Sequence, residues 1–482
     1  MVKKRICIIG AGAAGLCAAN LCKQDFLVEV FEKQNAVGGT WIYTEKTSKD
    51  LNQPLHSSMY QNLSARKQNP IRSQTCSIGE RSEEIGDHGS SKVSCRNKSS
   101  KEVMMFPDFP FPEEGPSFIH HTEVLKYLHQ YADYFQLYKY IKEGVGGMIS
   151  AVLGCAIHAQ WDLGLGIELA NSSEQLHGFG EKCRPHQPYV DGHYHPLEES
   201  FLPFPMLEAS HMPPRSRPDT SVQSGHYSIP HWPMIPGLSE FPGQKLHSHD
   251  YRNNSHFEGQ EVVVVGAGPS GIDIAIEIAQ VAKKVILSHN KVLSSPFPSN
   301  LYLESELDCI KDNVVYFKNG NSHYADSILV CTGYQYDFPF LDPSCRIKIR
   351  DTNIVWPLYK HIINVFHPTM AFIGIPSQIP PFPFFYQQIK FFLSAIEEKM
   401  ILPQESEMLQ DIDDNINYLL NSGLPEHHAH KMPSPILWEY DDDISKMASI
   451  KPISQKVREL YEITSALRKK NLLSYKDHNF NE

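Results

Sequence analysis

Two stretches of the sequence share one design: RICIIGAGAAGLCAA (5–19) and EVVVVGAGPSGIDIA (261–275). In each, an apolar strand-like run enters a G-x-G-x-x-G turn that leads into a helix-like segment. The first glycine of such a turn permits a tight exit from a buried strand. The second leaves room for a pyrophosphate to approach the backbone, and the third lets helix and strand pack closely. Phosphates then rest on free N–H groups at the positive end of the helix. The glycines are Gly10, Gly12 and Gly15 in the first copy and Gly266, Gly268 and Gly271 in the second. An α/β chain with two Rossmann-like dinucleotide-binding units is expected.

The strands downstream of the two turns tell them apart. After the first comes the strand FLVEVFEK, which carries Glu32 at its end. A carboxylate there can accept hydrogen bonds from a ribose diol and would repel a ribose 2′-phosphate. This turn suits FAD or NAD. After the second comes KKVILSHNK (283–291), with no acid at the strand end. Ser288, His289 and Lys291 stand there instead and can offer hydrogen bonds or positive charge to a 2′-phosphate. This turn suits NADPH, and a flavin beside NADPH implies hydride transfer.

At 482 residues the chain can hold two or three domains. Its net charge of -11 argues against a general nucleic-acid binder. No apolar run approaches the ~18 residues of a membrane span. The first strand begins at Arg5, which leaves no room for a signal peptide, so a soluble cytoplasmic protein is expected. The ten cysteines show no metal or disulfide framework. Cys17 and Cys22 have the spacing of a redox pair, but both fall on the helix after the first turn. Five residues of helix rotate by about 500°, which points the two side chains about 140° apart.

Residues 1–63 read as a β-α-β unit, then GGTW and a loop, and 101–142 as a loop and an amphipathic helix. Residues 64–100 contain nine serines and little apolar periodicity, and they read as disordered. Residues 143–224 start glycine-rich, become proline-dense and show no clear strand alternation. Next come the second nucleotide unit, SILVCTGYQYDFPFL and a mixed C-terminal portion with a proline-rich turn.

On these motifs the chain resembles the flavin-containing monooxygenases of the N- and S-oxygenating, dimethylaniline monooxygenase-like class. FPGQKLHSHDY (241–251) fits the family fingerprint F-x-G-x-x-x-H-x-x-x-Y through Phe241, Gly243, His247 and Tyr251. GAGAAG with Glu32, GGTW (38–41), GAGPSG (266–271), VCTGY (330–334) and PFPFFYQQ add to it. The resemblance covers 1–63, 101–142 and 225–482. It implies an NADPH-binding domain (225–331) inserted in an FAD-binding domain made of 1–142 and 332–482, with 143–224 an atypical segment. The stretches 64–100 and 143–224 look foreign to the family, as an altered exon boundary would make them.

The resemblance implies an NADPH- and FAD-dependent oxidoreductase, a flavoprotein monooxygenase. In that family reduced flavin and dioxygen form a hydroperoxide, shielded from water by bound NADP⁺, whose distal oxygen passes to an amine nitrogen or sulfide sulfur. The cofactor carries the chemistry, so no catalytic triad is needed and no catalytic side chain is assigned. The implied FAD contacts are Gly10, Ala11, Gly12, Ala13, Ala14, Gly15, Glu32, Gly39, Thr40 and Trp41. Gln388 reads equally as a contact to the flavin end or as part of a core turn. The implied NADPH contacts are Gly266, Gly268, Pro269, Ser270 and Gly271, with Ser288 and His289 near the extra phosphate. His247 reads as a structural histidine coupling the domains, ahead of a direct part in the chemistry.

One position departs from the family. Its members carry an asparagine three residues before a Lys-Glu pair, and that asparagine is implicated in holding NADP⁺ and the oxygenated flavin. Here Lys98 stands three residues before Lys101, and Asn97 is one place too early. An alternative is therefore an inactive or uncoupled product of an aberrant gene model that binds NADPH without holding flavin productively. Partners are a small amine or sulfide and dioxygen, with the oligomeric state open. The histidine clusters DGHYHP (191–196) and EHHAH (426–430) lack spaced partner ligands and read as solvated surface. The acidic run 441–443 reads as a solvated loop or helix N-terminus.

Overall fold

The structure, a computed structural model, describes residues 3–43, 96–145, 229–290, 293, 296–338, 340–351 and 353–480. Most of 64–100 and 143–224, including 191–196, lies outside the described residues, as does Lys291.

The first unit is β1 (Arg5–Ile9), α1 (Ala13–Cys22) and β2 (Leu27–Phe31). β1 and β2 pair in parallel from Arg5↔Leu27 to Ile9↔Phe31. A short helix α2 (Lys101–Met104) and the amphipathic α3 (His121–Tyr134) come next. β3 (Ile141–Lys142) then joins the far side of β2 to give the order β1-β2-β3. Gly144 N and Val145 N donate to Gln34 O and Glu32 O, so the first residues of 143–224 still run beside β2. Residues 96–100, expected from the sequence to be disordered, are packed. Arg96 bridges to His120, and Asn97 N donates to Ile119 O at 2.9 Å. The physical reason is an anchor that serine content does not reveal: the Arg96 guanidinium pairs with Asp477 at 2.7 Å, 381 residues away.

The second unit enters through β4 (Ile229–Pro230) and continues with β5 (Gln244–His247), β6 (Glu261–Val265), α4 (Pro269–Ile278), β7 (Lys284–Ser288) and β8 (Leu301–Glu304). An antiparallel ribbon of β9 (Leu307–Lys311), β10 (Val314–Phe317) and β11 (Ser322–Tyr324) precedes β12 (Ser327–Val330). The main sheet is parallel, in the order β5-β12-β6-β7-β8. Val262 and Val264 pack into one core and Val263 and Val265 into the other. A strand covered on both faces needs apolar residues at every position, which is why β6 is a run of valines.

The chain leaves this unit through β13 (Tyr334–Gln335), which pairs antiparallel with β4. Entry and exit strands therefore lie together, as in an inserted domain. Beyond them, α5 (Pro381–Ile396) returns to the first unit, where Phe382, Ile389 and Leu393 share a core with Leu16, Leu128 and Tyr131. Helices α6 (Glu405–Asn421), α7 (Ile436–Met447) and α8 (Gln455–Lys470) complete the C-terminal portion.

Two polar stretches expected at the surface each bury one polar residue, while Asp442, Asp443 and Glu426 stay exposed as expected. Asp441, in the acidic run, is fully buried inside α7 and pairs with Arg458 of α8 at 2.6 Å. His430, in EHHAH, is buried. Its Nε2 accepts the Val355 N–H at 2.9 Å and its Nδ1 lies 2.9 Å from His361 Nδ1. In both cases a distant residue supplies the partner that makes burial tolerable. Cys17 and Cys22 are both free, on α1.

Candidate functional site

Both glycine turns open into one cavity of about 2420 Å³. Each turn is built the same way. Gly10 and Gly266 adopt φ of 99° and 103°, a region that side chains disfavour. A side chain on Gly15 or Gly271 would overlap the carbonyl oxygen of Gly10 or Gly266. Helix and strand can therefore approach this closely only with glycine at these positions. Helices α1 and α4 begin at Gly12 and Gly268, neither of which supplies a side-chain cap. The first-turn N–H groups, which have no acceptor within a helix, are left to a ligand. At Gly268 an added methyl would meet nothing within 4 Å, so the path to the backbone is open. These features fit a dinucleotide pyrophosphate at each turn.

Around the first turn, Gly10, Gly12, Ala13, Ala14, Gly15, Gly39, Thr40 and Trp41 line the cavity. Ala11 and Glu32 do not; they lie buried behind it. Glu32 Oε2 accepts the Ala11 N–H at 2.6 Å and Oε1 accepts the Gln34 N–H at 2.8 Å. Gln388 is fully buried away from the cavity. Its Oε1 accepts the Gly374 N–H at 2.8 Å, and its Nε2 donates to the Tyr440 hydroxyl at 3.2 Å.

Around the second turn, Gly266, Gly268, Pro269, Ser270, Ser288 and His289 line the cavity, whereas Gly271 lies behind it against Cys331. The Ser288 hydroxyl donates to Ser305 O at 2.9 Å. Two groups that sequence spacing did not point to arrive here from β8 to β10. Glu306 accepts from Asn290 Nδ2 at 2.9 Å and is ion-paired with Lys318; all three line the cavity. A cation and an acid therefore stand beyond the end of β7.

His247 ends β5, is buried, and does not line the cavity. Its ring lies edge-on to Tyr334 at 5.4 Å and near Trp232 at 5.8 Å, where the linker strands meet the sheet. Burial, with His249 adding, pushes its pKa down to about 4, so the ring is neutral.

Segment 96–99 also lines the cavity. Asn97 is buried, and its Nδ2 has no hydrogen-bond partner among the described residues. A buried amide donor in this state is unfavourable unless a ligand accepts from it. Lys98 Nζ donates to Ser270 Oγ at 3.0 Å. The sequence singled out both residues, but counting from Lys101 could not decide between them. The structure brings both to the cavity wall.

A family profile described as flavin-binding monooxygenase-like matches residues 80–170, 219–295 and 297–457. An NAD(P)-binding Rossmann-like profile matches 8–68. The two matches include 64–68, 80–100, 143–170 and 219–224, so these parts of the stretches that looked foreign to the family belong to it, and 69–79 and 171–218 stay unmatched. Flavin-containing monooxygenase FMO GS-OX-like 2 of Arabidopsis thaliana is 32% identical over 466 residues, covering 91% of this chain and 83% of that protein. FMO GS-OX1 of the same plant is 30% identical over 472 residues, covering 93% and 86%. Among solved structures, S-allyl-L-cysteine S-oxygenase from Allium sativum superposes with a TM-score of 0.69 at 25% identity, covering 99% of this chain and 96% of that one. Tmm from a Pelagibacter species gives 0.66 at 20% identity, covering 99% and 94%, and shares the fold.

Proposed function

The chain belongs to the flavin-binding monooxygenase-like family, with FAD and NADPH as its expected cofactors, and from this we propose that it oxygenates soft nucleophiles, a sulfide sulfur or an amine nitrogen. One observation carries the reading: the two dinucleotide turns share a single cavity. A hydride donor held at one turn and a flavin held at the other can meet without either leaving its domain. The similarity to an S-oxygenase supports sulfur as a substrate atom.

When bound, the reduced flavin activates dioxygen and supplies one oxygen atom, with NADPH as the source of hydride. The chain's own residues position and shield. The helix N-termini after Gly12 and Gly268 hold the pyrophosphates. Trp41, Met104, Phe382 and Phe385 give the cavity an apolar wall that excludes water from the reacting centre. Asn97 lines the same cavity, and its buried, unpartnered amide nitrogen is a donor for a ligand there. No side chain is required to abstract a proton from a sulfide or tertiary amine, because the lone pair itself attacks.

The test is oxygen consumption and product analysis of the purified, FAD-loaded chain with NADPH and a dialkyl sulfide or tertiary amine. One sulfoxide or N-oxide per NADPH supports the reading. Peroxide formed one-for-one with NADPH, whatever the substrate, would establish uncoupled NADPH oxidation instead.

A further inference from the structure

Lys98 is part-buried at the mouth of the second glycine turn, and its ammonium lacks the counter-charge such a position calls for. Among the described residues its hydrogen bond goes to a neutral hydroxyl, Ser270 Oγ, at 3.0 Å. The carboxylate nearest in this environment, Asp273 on α4, is already engaged. It pairs with Lys476 at 3.0 Å and with Arg468 of α8 at 3.9 Å. The groups that face Lys98 are thus Asp273 from α4, Arg468 from α8, Lys476 from the C-terminal turn, and the Cys331 thiol after β12. Three cations surround one acid, and the surplus positive charge lies beside Gly268, where the backbone is open to the cavity. Withdrawing an ammonium from water without an anion is unfavourable, so the arrangement is completed by a ligand that brings negative charge.

We propose that Lys98 is a positioning residue for NADP(H): its ammonium, steadied by Ser270, binds the dinucleotide pyrophosphate across the mouth of the second turn. The inference rests on the reading of that turn as the NADPH site. Lys98 precedes α2 in the first unit, whereas Ser270 belongs to the second. The contact therefore also fixes the dinucleotide relative to the domain that holds the flavin. The charge is pH-sensitive in the physiological range. Burial, partly offset by Asp273, lowers the Lys98 pKa to about 8. NADP⁺ binding favours the charged form, so affinity is full below pH 8 and falls as pH rises above it.

The experiment is calorimetric titration of the FAD-loaded full chain with NADP⁺ between pH 7 and 9.5. Wild type, Lys98→Met and Lys98→Arg are compared, with flavin content and melting temperature confirming that each is folded. Wild type is expected to bind about tenfold more weakly at pH 9.5 than at pH 7, the size of one charge-assisted contact. K98M is expected to bind about tenfold more weakly at pH 7 and to show a flat profile. K98R, whose charge does not titrate in this range, is expected to keep wild-type affinity and hold it to pH 9.5. K98M binding as tightly as wild type, or keeping the wild-type pH dependence, would overturn this inference alone. Wild type binding no NADP⁺ at any pH would overturn the reading of the turn and this inference with it.

Discussion

The Glu32 carboxylate accepts the Ala11 N–H at 2.6 Å, tying the end of β2 to the first glycine turn from behind. With its other oxygen on the Gln34 N–H, Glu32 holds two backbone groups in place. Ala11 is fully buried, so no water can take over the acceptor's role. Glu32→Ala is expected to lower stability by about 3 kcal/mol, the cost of two charge-assisted bonds and an orphaned donor. The turn should also lose FAD. Thermal unfolding and flavin content check this, and an E32A protein that melts like wild type would show the contact to be dispensable.

Gly268 offers a cleaner separation of folding from binding. Its φ of -73° suits any residue, and an added methyl would touch no protein atom within 4 Å. Alanine at a helix N-cap position costs about 1 kcal/mol relative to glycine, too little to unfold a domain of this size. The methyl does stand in the path of a pyrophosphate. Gly268→Ala is therefore expected to fold and hold flavin as wild type does, while binding NADP⁺ at least about tenfold more weakly, about 1.4 kcal/mol. Gly271→Ala should differ, because its methyl would overlap the Gly266 carbonyl. That variant should lose the second domain's stability as well as its ligand. Equal NADP⁺ affinities for G268A and wild type would remove the pyrophosphate from this turn.

These two turns were legible because their information is local. Glycine spacing, the strand before and the helix after all fall within fifteen residues, and the backbone geometry is dictated by them. What escaped the sequence was pairing at a distance. The acidic run 441–443 looks like solvent-facing charge until Arg458, one helix later, is brought to Asp441. His430 looks like one of several surface histidines until His361 meets it. Around the site the same limit holds. Asn290, Glu306 and Lys318 converge only because β8 to β10 fold back beside β7. Nor could spacing from Lys101 show that Lys98 reaches Ser270, 172 residues away. Hydrophobic periodicity reports which face is buried; it does not report which polar group on another element makes that burial tolerable.

Gln388 separates the two roles that its sequence context leaves open. It is fully buried and bridges the Gly374 N–H to the Tyr440 hydroxyl, which in turn donates to Lys360 O at 2.7 Å. Gln388→Leu keeps the shape and removes the bridge. It is expected to cost about 2 kcal/mol, chiefly through the orphaned Gly374 donor. Flavin affinity of the folded fraction should be unchanged. A Q388L protein of normal stability that releases FAD would instead place this side chain at the flavin.

The His361–His430 pair sets an acid limit on the C-terminal portion. His430 Nε2 accepts the Val355 N–H, so its proton sits on Nδ1 and is donated to His361 Nδ1. Both rings are then neutral, and a proton added to His361 Nδ1 would break the bond. Burial, with Lys360 beside it, pushes the His361 pKa down to about 4. An unfolded histidine titrates near 6.5. Between these values the unfolded chain binds a proton that the folded chain refuses. Stability is therefore complete above about pH 6.5 and declines as pH falls towards 4. The decline from this group amounts to at most about 3 kcal/mol. His247, also held near 4, adds to the same window. Unfolding free energies at pH 5 and pH 7.5 test the assignment. Wild type should lose stability across that interval, and His361→Gln should lose less, even though it starts lower. An identical loss in both proteins would move the acid sensitivity to another group.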